Sequence, residues 1–142
     1  MKNLSSVLLF QIERTNKIAR LHSQRAFDQN NVGLTIEQWI ILKIIDEQKS
    51  LSQRELASLS LRDPGSITRT LDILEKKGYV KREAVPKNRR KYNIILTAAG
   101  SVFVKQQMPL IESLRNQSIR GLNSTEVKTL QQLLLKVQNN LE

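Results

Sequence analysis

The sequence contains no cysteine, which excludes disulfide bonds, thiolate metal sites and a cysteine-based oxidation switch. It also has a single histidine, and its five glycines are scattered, so it offers neither a metal-ligand cluster nor a glycine-rich phosphate loop. Asp72 and Glu75 have helical i, i+3 spacing, but we expect them to form a solvated face balanced by Arg69 and Lys76. The sequence therefore predicts no enzyme, no metal and no cofactor.

Aromatic residues are scarce, at 4% of a chain that is 39% hydrophobic. A core this light, in a chain with several long helices, indicates that a second subunit completes part of the apolar surface. The early apolar run at 7–10 is followed at once by polar and charged residues, so it is too short for a signal peptide or a membrane span. From its 142 residues we expect one domain over 1–142, in a cytoplasmic protein with no membrane partner.

Acidic residues are also few: 13 against 23 basic ones give a net charge of +10 and a pI near 10.2. This balance favours a polyanionic partner, either nucleic acid or an acidic membrane surface, without choosing between them.

Two helix starts follow each other closely within residues 51–100. The run Ser52-Gln53-Arg54-Glu55 is a capping box, which predicts a short helix to about Leu59. Asp63 is a good N-cap, followed by Pro64 at the first helical position, and Gly78 is a suitable end for this second helix. The turn between the two helices is short, as in a helix-turn-helix.

The second helix separates an apolar face from a small, polar one. Ile67, Leu71 and Leu74 recur at helical spacing and predict the buried side. We expect the remaining early positions to lie away from that stripe, where small residues, hydroxyls and a guanidinium can meet base edges or phosphates: Pro64, Gly65, Ser66, Thr68 and Arg69. Taken alone, this pattern fits an ordinary surface helix about equally well.

A basic hairpin is predicted next. Residues 79–82 and 91–96 have strand-forming composition, and residues 83–90 between them are expected to form a loop with turn residues Pro86 and Asn88. Residues 81–91 contain six basic side chains against Glu83 alone, a net charge of +5, which is half of the charge of the chain. This concentration beside a helix-turn-helix favours DNA binding over a merely solvated face.

The chain resembles the MarR family of bacterial transcriptional regulators through four segments, which are Leu56-Ala57, the run from Ser66 to Arg82, Asn88-Arg89-Arg90, and Leu96-Thr97-Ala98-Ala99-Gly100. The resemblance covers essentially the whole chain in length and helix order. One position departs from the family, because Asn88 stands where relatives carry an Asp that pairs with the recognition-helix arginine, here Arg69. Asn88 accepts hydrogen bonds but carries no charge, which weakens that brace.

The predicted fold class is mainly α with a small β-hairpin: a winged helix-turn-helix core at 34–97, flanked by helices at 1–30 and 98–142. The predicted helices are 4–27, 36–47, 97–120 with an interruption at Pro109, and a last helix ending near 140. The flanking helices could form an intramolecular bundle, but the resemblance implies that they pair two subunits. Their apolar stripe includes Val127, Leu130, Leu133, Leu134, Val137 and Leu141.

Together these features predict a sequence-specific DNA-binding regulator, expected to be a repressor, that binds a pseudo-palindromic operator as a homodimer. The predicted DNA contacts are Arg54, Pro64, Gly65, Ser66, Thr68, Arg69, Lys87, Arg89 and Arg90. Two alternatives stay open at this point: a nucleic-acid binder without sequence preference, and a winged-helix module whose basic wing meets an acidic protein.

The resemblance also implies a small aromatic or anionic effector, bound in a crevice between the reader and the dimer helices. In this sequence the crevice would lie near His22, Trp39 and Phe103. A lone helical histidine is more often a surface residue, and a tryptophan next to a helix cap is more often part of the core.

Overall fold

The computed structural model describes residues 3–142, and for residues 89–91 it describes the backbone alone. A 3-10 turn at Leu4–Ser6 precedes a mainly helical chain with a small sheet, which confirms the predicted fold class. The elements in chain order are α1 (Leu8–Gln29), α2 (Ile36–Gln48), β1 (Leu51–Ser52), α3 (Gln53–Ser60), α4 (Pro64–Lys76), β2 (Val80–Val85), β3 (Asn88–Leu96), α5 (Ala98–Ser118) and α6 (Ser124–Leu141).

Local capping places the helix starts. Three helices begin with a capping box, in which two residues exchange hydrogen bonds. The side chain of the cap accepts from the backbone N–H three residues later, and the side chain of that later residue accepts from the backbone N–H of the cap. The pairs are Thr35 with Gln38, Ser52 with Glu55, and Asn123 with Glu126. Asp63 caps α4 by accepting from the backbone N–H of Ser66 at 2.9 Å. Each cap satisfies amide donors that the first helical turn leaves without partners, so the predicted starts of α2, α3, α4 and α6 are confirmed.

The three strands form an antiparallel sheet in the order β1-β3-β2. Leu51 of β1 pairs with Ile94, and the β2–β3 ladder runs from Val80–Leu96 to Ala84–Tyr92 before its register shifts. The predicted loop at 83–90 is wrong, because both strands continue to a two-residue turn at Pro86-Lys87. Cross-strand pairing, rather than the intrinsic preference of each residue, decides where a strand ends.

The first helix also differs from its predicted bounds. It begins after Val7, whose backbone is extended, and it continues through Phe27 to Gln29. Phe27, at the predicted end of this helix, lies inside it and is 1% exposed, and its ring meets Trp39 edge-on at a centroid distance of 6.3 Å. Burial against α2 therefore holds in helical form a segment whose polar sequence favours a loop.

By its internal contacts the chain divides into two compact units, Met1–Pro109 and Leu110–Glu142. The first unit contains the core, whose fully buried side chains are Phe27, Ile41, Leu42, Ile45, Leu56, Ile67, Leu71, Leu74 and Ile94. In the second unit, α6 has no buried residue over its described length. The helices of the described part are each too short or too polar to cross a membrane.

Candidate nucleic-acid interface

The helix-turn-helix is built on four leucine and isoleucine side chains that α3 and α4 bury between them. Leu56 of α3 and Ile67, Leu71 and Leu74 of α4 are each 0% exposed. The chain reverses at Leu61, which takes a left-handed conformation with φ 55° and ψ 39° and closes α3. The predicted apolar face of α4 is thereby confirmed.

The outward side of α4 holds most of the predicted base-reading residues. Pro64, Gly65, Thr68 and Arg69 are all exposed. A Cβ at Gly65 would lie 3.3 Å from Asp63 Oδ2 and 3.9 Å from Arg69 Nη1, so the cap and the guanidinium both lie close over this glycine. The absence of a side chain at Gly65 leaves room for the Asp63 carboxylate and the Arg69 guanidinium beside the first turn of α4.

Ser66 does not share this outward face. It is 8% exposed, and its hydroxyl accepts from Arg62 Nη2 at 2.5 Å. The expectation that Ser66 lies away from the apolar stripe is wrong, because Ser66 and Thr70, spaced i, i+4 on one side of the helix, widen the buried face beyond Ile67 and Leu71.

A chain of polar contacts leads from the start of α4 to α1. Arg62 Nη1 lies 3.8 Å from Glu37 Oε2 on α2, and Glu37 Oε1 lies 3.0 Å from Arg20 Nη1 on α1. Sequence reasoning missed these contacts, because the three residues are far apart in the chain and belong to no common motif. The chain of contacts fixes the turn of the helix-turn-helix against the two preceding helices.

A hydrogen bond joins α3 and α4 on their exposed side. Gln53 Nε2, in the first turn of α3, donates to Thr68 Oγ1 at 2.6 Å. Thr68 Oγ1 itself donates to the carbonyl oxygen of Pro64 at 3.0 Å. A predicted base-reading side chain is therefore already held by α3 before any DNA binds.

The base of the β-hairpin is fastened to α4 by Arg82 of β2. Its Nη1 lies 2.6 Å from Glu75 Oε2, and its Nη2 lies 3.1 Å from Asp72 Oδ1. The side chain of Arg82 is only 26% exposed. The prediction that Asp72 and Glu75 form a solvated face balanced by Arg69 and Lys76 is corrected, because both carboxylates pair across to the hairpin.

The remaining predicted DNA contacts are spread over α3 and the hairpin. Arg54 is exposed near the start of α3, and Lys87 is exposed in the two-residue turn at the tip. The predictions for Arg89 and Arg90 concern side chains that lie outside the described part of the structure.

The residues proposed for an effector site fall into two environments. Trp39 and Phe103 are 5% and 8% exposed, with ring centroids 6.4 Å apart, and Phe103 stacks on Tyr79 at 4.3 Å. His22 is an exposed residue of α1. Trp39 and Phe103 are thus brought together as packed core residues, while His22 lies on the surface.

A close backbone approach fixes Phe103 in this cluster. A Cβ at Gly100 would lie 2.1 Å from the carbonyl oxygen of Tyr79, a distance that no side chain tolerates. Glycine therefore lets the start of α5 lie directly against the segment that follows α4.

A capped helix-turn-helix whose second helix is joined to a basic β-hairpin defines a winged helix-turn-helix protein. A sequence model of the MarR family matches residues 34–92. Residues 34–92 therefore carry a MarR-type domain, the DNA-binding part of a transcriptional regulator.

Solved structures agree with this assignment over nearly the full chain. The structure of a mutant E. coli MarR complexed with operator DNA is 25% identical, with a TM-score of 0.83 over 96% of this chain and 99% of that one. A probable transcriptional regulator from Pseudomonas aeruginosa is 25% identical, with a TM-score of 0.81 over 95% and 99%. The reduced form of E. coli MarR is 29% identical, with a TM-score of 0.76 over 92% and 96%.

Proposed function

We propose that the protein is a sequence-specific repressor that binds a pseudo-palindromic operator as a homodimer and represses by covering a promoter. The observation that carries the proposal is the exposed first turn of α4, on a helix that Arg82 joins to a basic hairpin through Asp72 and Glu75. In this arrangement α4 enters the major groove, and the hairpin reaches the adjacent minor groove or its phosphates. A mutant E. coli MarR of similar fold is complexed with operator DNA in its solved structure, which supports operator DNA as the partner.

Helix α4 and the hairpin differ in net charge, which indicates different roles in DNA binding. Helix α4 contains two basic residues, Arg69 and Lys76, and two acidic ones, Asp72 and Glu75, so its formal net charge is zero. The hairpin at 81–91 carries +5, from six basic residues against one acidic residue. We therefore assign most of the phosphate attraction to the wing and Arg54, and base discrimination to Gly65, Thr68 and Arg69.

Unpartnered apolar side chains support the homodimer. On α1, Leu8 and Leu9 are each 55% exposed and Leu21 is 61% exposed. On α6, Leu133 is 52% exposed and Leu141 is 69% exposed. A second copy that covers these faces removes apolar surface from water, and its two-fold axis sets two recognition helices about 34–36 Å apart, one turn of DNA.

We also propose release by a small aromatic or anionic effector near His22, Trp39 and Phe103. Because Trp39 and Phe103 are packed in the core, a ligand there has to part the aromatic cluster, and this would move α5 against α2. Trp39 is the single tryptophan of the chain, so its fluorescence reports such a change directly. A saturable change in Trp39 emission that accompanies loss of operator binding supports the proposal, and ligand-induced release with unchanged emission moves the site elsewhere.

The proposed role is regulatory and not catalytic, and its location is the bacterial cytoplasm, because promoter DNA lies there. The experiment that tests the function is selection of bound fragments from random duplex DNA, followed by affinity measurements at several salt concentrations. A specific regulator should bind its selected site at least about 10³-fold more tightly than random DNA.

Two other outcomes identify the alternative functions. Salt-dependent binding with no enriched motif indicates a non-specific nucleic-acid binder. Failure to bind any duplex indicates a module whose basic wing meets an acidic protein. Arg69→Ala, with Lys76→Ala in the last turn of the same helix as the matched control, separates base reading from general charge.

A further inference from the structure

The hydrogen bonds of Thr68 determine what this side chain can offer to DNA. A threonine hydroxyl has one proton and two lone pairs. The proton goes to the carbonyl oxygen of Pro64 at 3.0 Å, and one lone pair receives Gln53 Nε2 at 2.6 Å. Because the proton is already donated, Gln53 has to present its nitrogen, and the orientation of its amide is fixed.

The occupied hydroxyl restricts the bases that Thr68 can read. The oxygen has no proton left for guanine N7 and O6, adenine N7 or thymine O4, which are all acceptors in the major groove, so its hydrogen bonding to a base is limited to one lone pair that can accept from adenine N6 or cytosine N4. Thr68 is exposed and its oxygen is bonded to Pro64 and Gln53, which leaves the methyl as the part of the side chain that is available for an apolar contact. The apolar group of the major groove that fits a threonine methyl is the 5-methyl of thymine.

We propose that Gln53 is a specificity-determining residue, which fixes the Thr68 hydroxyl so that Thr68 selects thymine through a methyl–methyl contact. Gln53 acts from α3 by positioning a residue of α4 and need not touch the base itself. This inference rests on the proposed entry of α4 into the major groove.

Substitution of single thymines in the selected operator by deoxyuridine tests the contact, because it removes only the 5-methyl group. At one thymine in each half-site, this substitution should lower the affinity of the wild-type protein for the operator by about threefold to fourfold. That loss corresponds to one buried methyl-sized group. Thr68→Val lacks the hydroxyl but has a methyl at both γ positions, so a methyl still takes the outward position without help from Gln53, and this variant should keep the loss. Thr68→Ser keeps the hydroxyl without the methyl and should bind both operators equally.

Gln53→Ala tests the positioning role. Without the amide, the bond to the Pro64 carbonyl alone holds the Thr68 hydroxyl, so the side chain is less strictly oriented and the penalty for deoxyuridine should shrink although Thr68 is still present. Ser58→Ala, at an exposed position later in α3, is the matched control and should keep the full penalty. Thermal unfolding of each variant, and its affinity for random DNA, show whether the fold is intact.

The outcomes separate this inference from the function on which it rests. If wild-type protein selects no operator, the proposed function fails. If wild type binds an operator but loses nothing with deoxyuridine, or if Thr68→Ser loses as much as wild type, the methyl contact is refuted and the function stands. If Gln53→Ala keeps the full penalty, Gln53 has no role in specificity.

Discussion

Replacement of Arg82 by glutamine removes the guanidinium that joins the wing to the recognition helix. Arg82 contacts Glu75 at 2.6 Å and Asp72 at 3.1 Å, so the change breaks two contacts at once. It also leaves two carboxylates uncompensated on α4, on an element that we expect to approach phosphates. We therefore predict a loss of both stability and operator affinity.

The size of the stability change follows from exposure. The carboxylate side chains are 58% and 45% exposed, and solvent screens each pair to roughly 0.2–1 kcal/mol. The Arg82 side chain is only 26% exposed and its guanidinium contacts both carboxylates, which favours the upper part of that range. Arg82→Gln should therefore lower the free energy of unfolding by about 1–2 kcal/mol.

The matched control is Lys81→Gln, one residue earlier on the same strand. Lys81 is 55% exposed and lies 3.8 Å from Glu83, so its loss should cost less than about 0.5 kcal/mol. Both variants remove one positive charge from the hairpin, and the general electrostatic attraction to DNA falls equally in both. Any extra loss of operator affinity in Arg82→Gln thus measures the positioning of the wing.

Urea unfolding and a salt titration of operator binding are the two assays. The extra loss in Arg82→Gln should largely disappear in a background that already carries Asp72→Asn and Glu75→Gln, because the contacts are then absent. Equal effects of Arg82→Gln and Lys81→Gln on both unfolding and affinity would refute the reasoning.

Three further predictions concern the DNA contacts and the dimer. Arg69→Ala should weaken binding to the selected operator by about 1–3 kcal/mol more than binding to random DNA, whereas an equal loss would make Arg69 a phosphate contact. Arg90→Ala should lower the slope of log affinity against log salt by about 0.9, and unchanged affinity and slope would show that the wing tip does not touch DNA. Removal of residues 123–142 should give a monomer or an unfolded chain in sedimentation, and a folded dimer from that chain would contradict pairing through α6.

The sequence by itself determined the features in which the interacting residues lie within one helical turn of each other. The capping boxes that start at Thr35, Ser52 and Asn123 each close between residues three apart, and the structure contains all of them. Gly78 takes the predicted positive φ, 81°. Such features depend on local backbone geometry alone, so a short stretch of sequence specifies them.

Predictions failed where a distant element decided the outcome. Helix α1 continues past its predicted end at residue 27 to Gln29, where Phe27 packs against Trp39, and Ser66 faces inward because Arg62 and the core occupy that side of α4. The hairpin strands extend past their predicted ends because they pair with each other. Composition in each segment gave no information about the neighbour that the fold would supply.

Only the tertiary structure decided the contacts that give the interface its form. Gln53 and Thr68 are 15 residues apart, and Arg82 lies 10 and 7 residues from Asp72 and Glu75. Their side chains meet only once the turn at Leu61 and the end of α4 have set the angles between α3, α4 and the hairpin. Charge and helical spacing predicted where DNA binds, whereas the hydrogen-bonding state of each side chain depends on these angles, which local sequence does not fix.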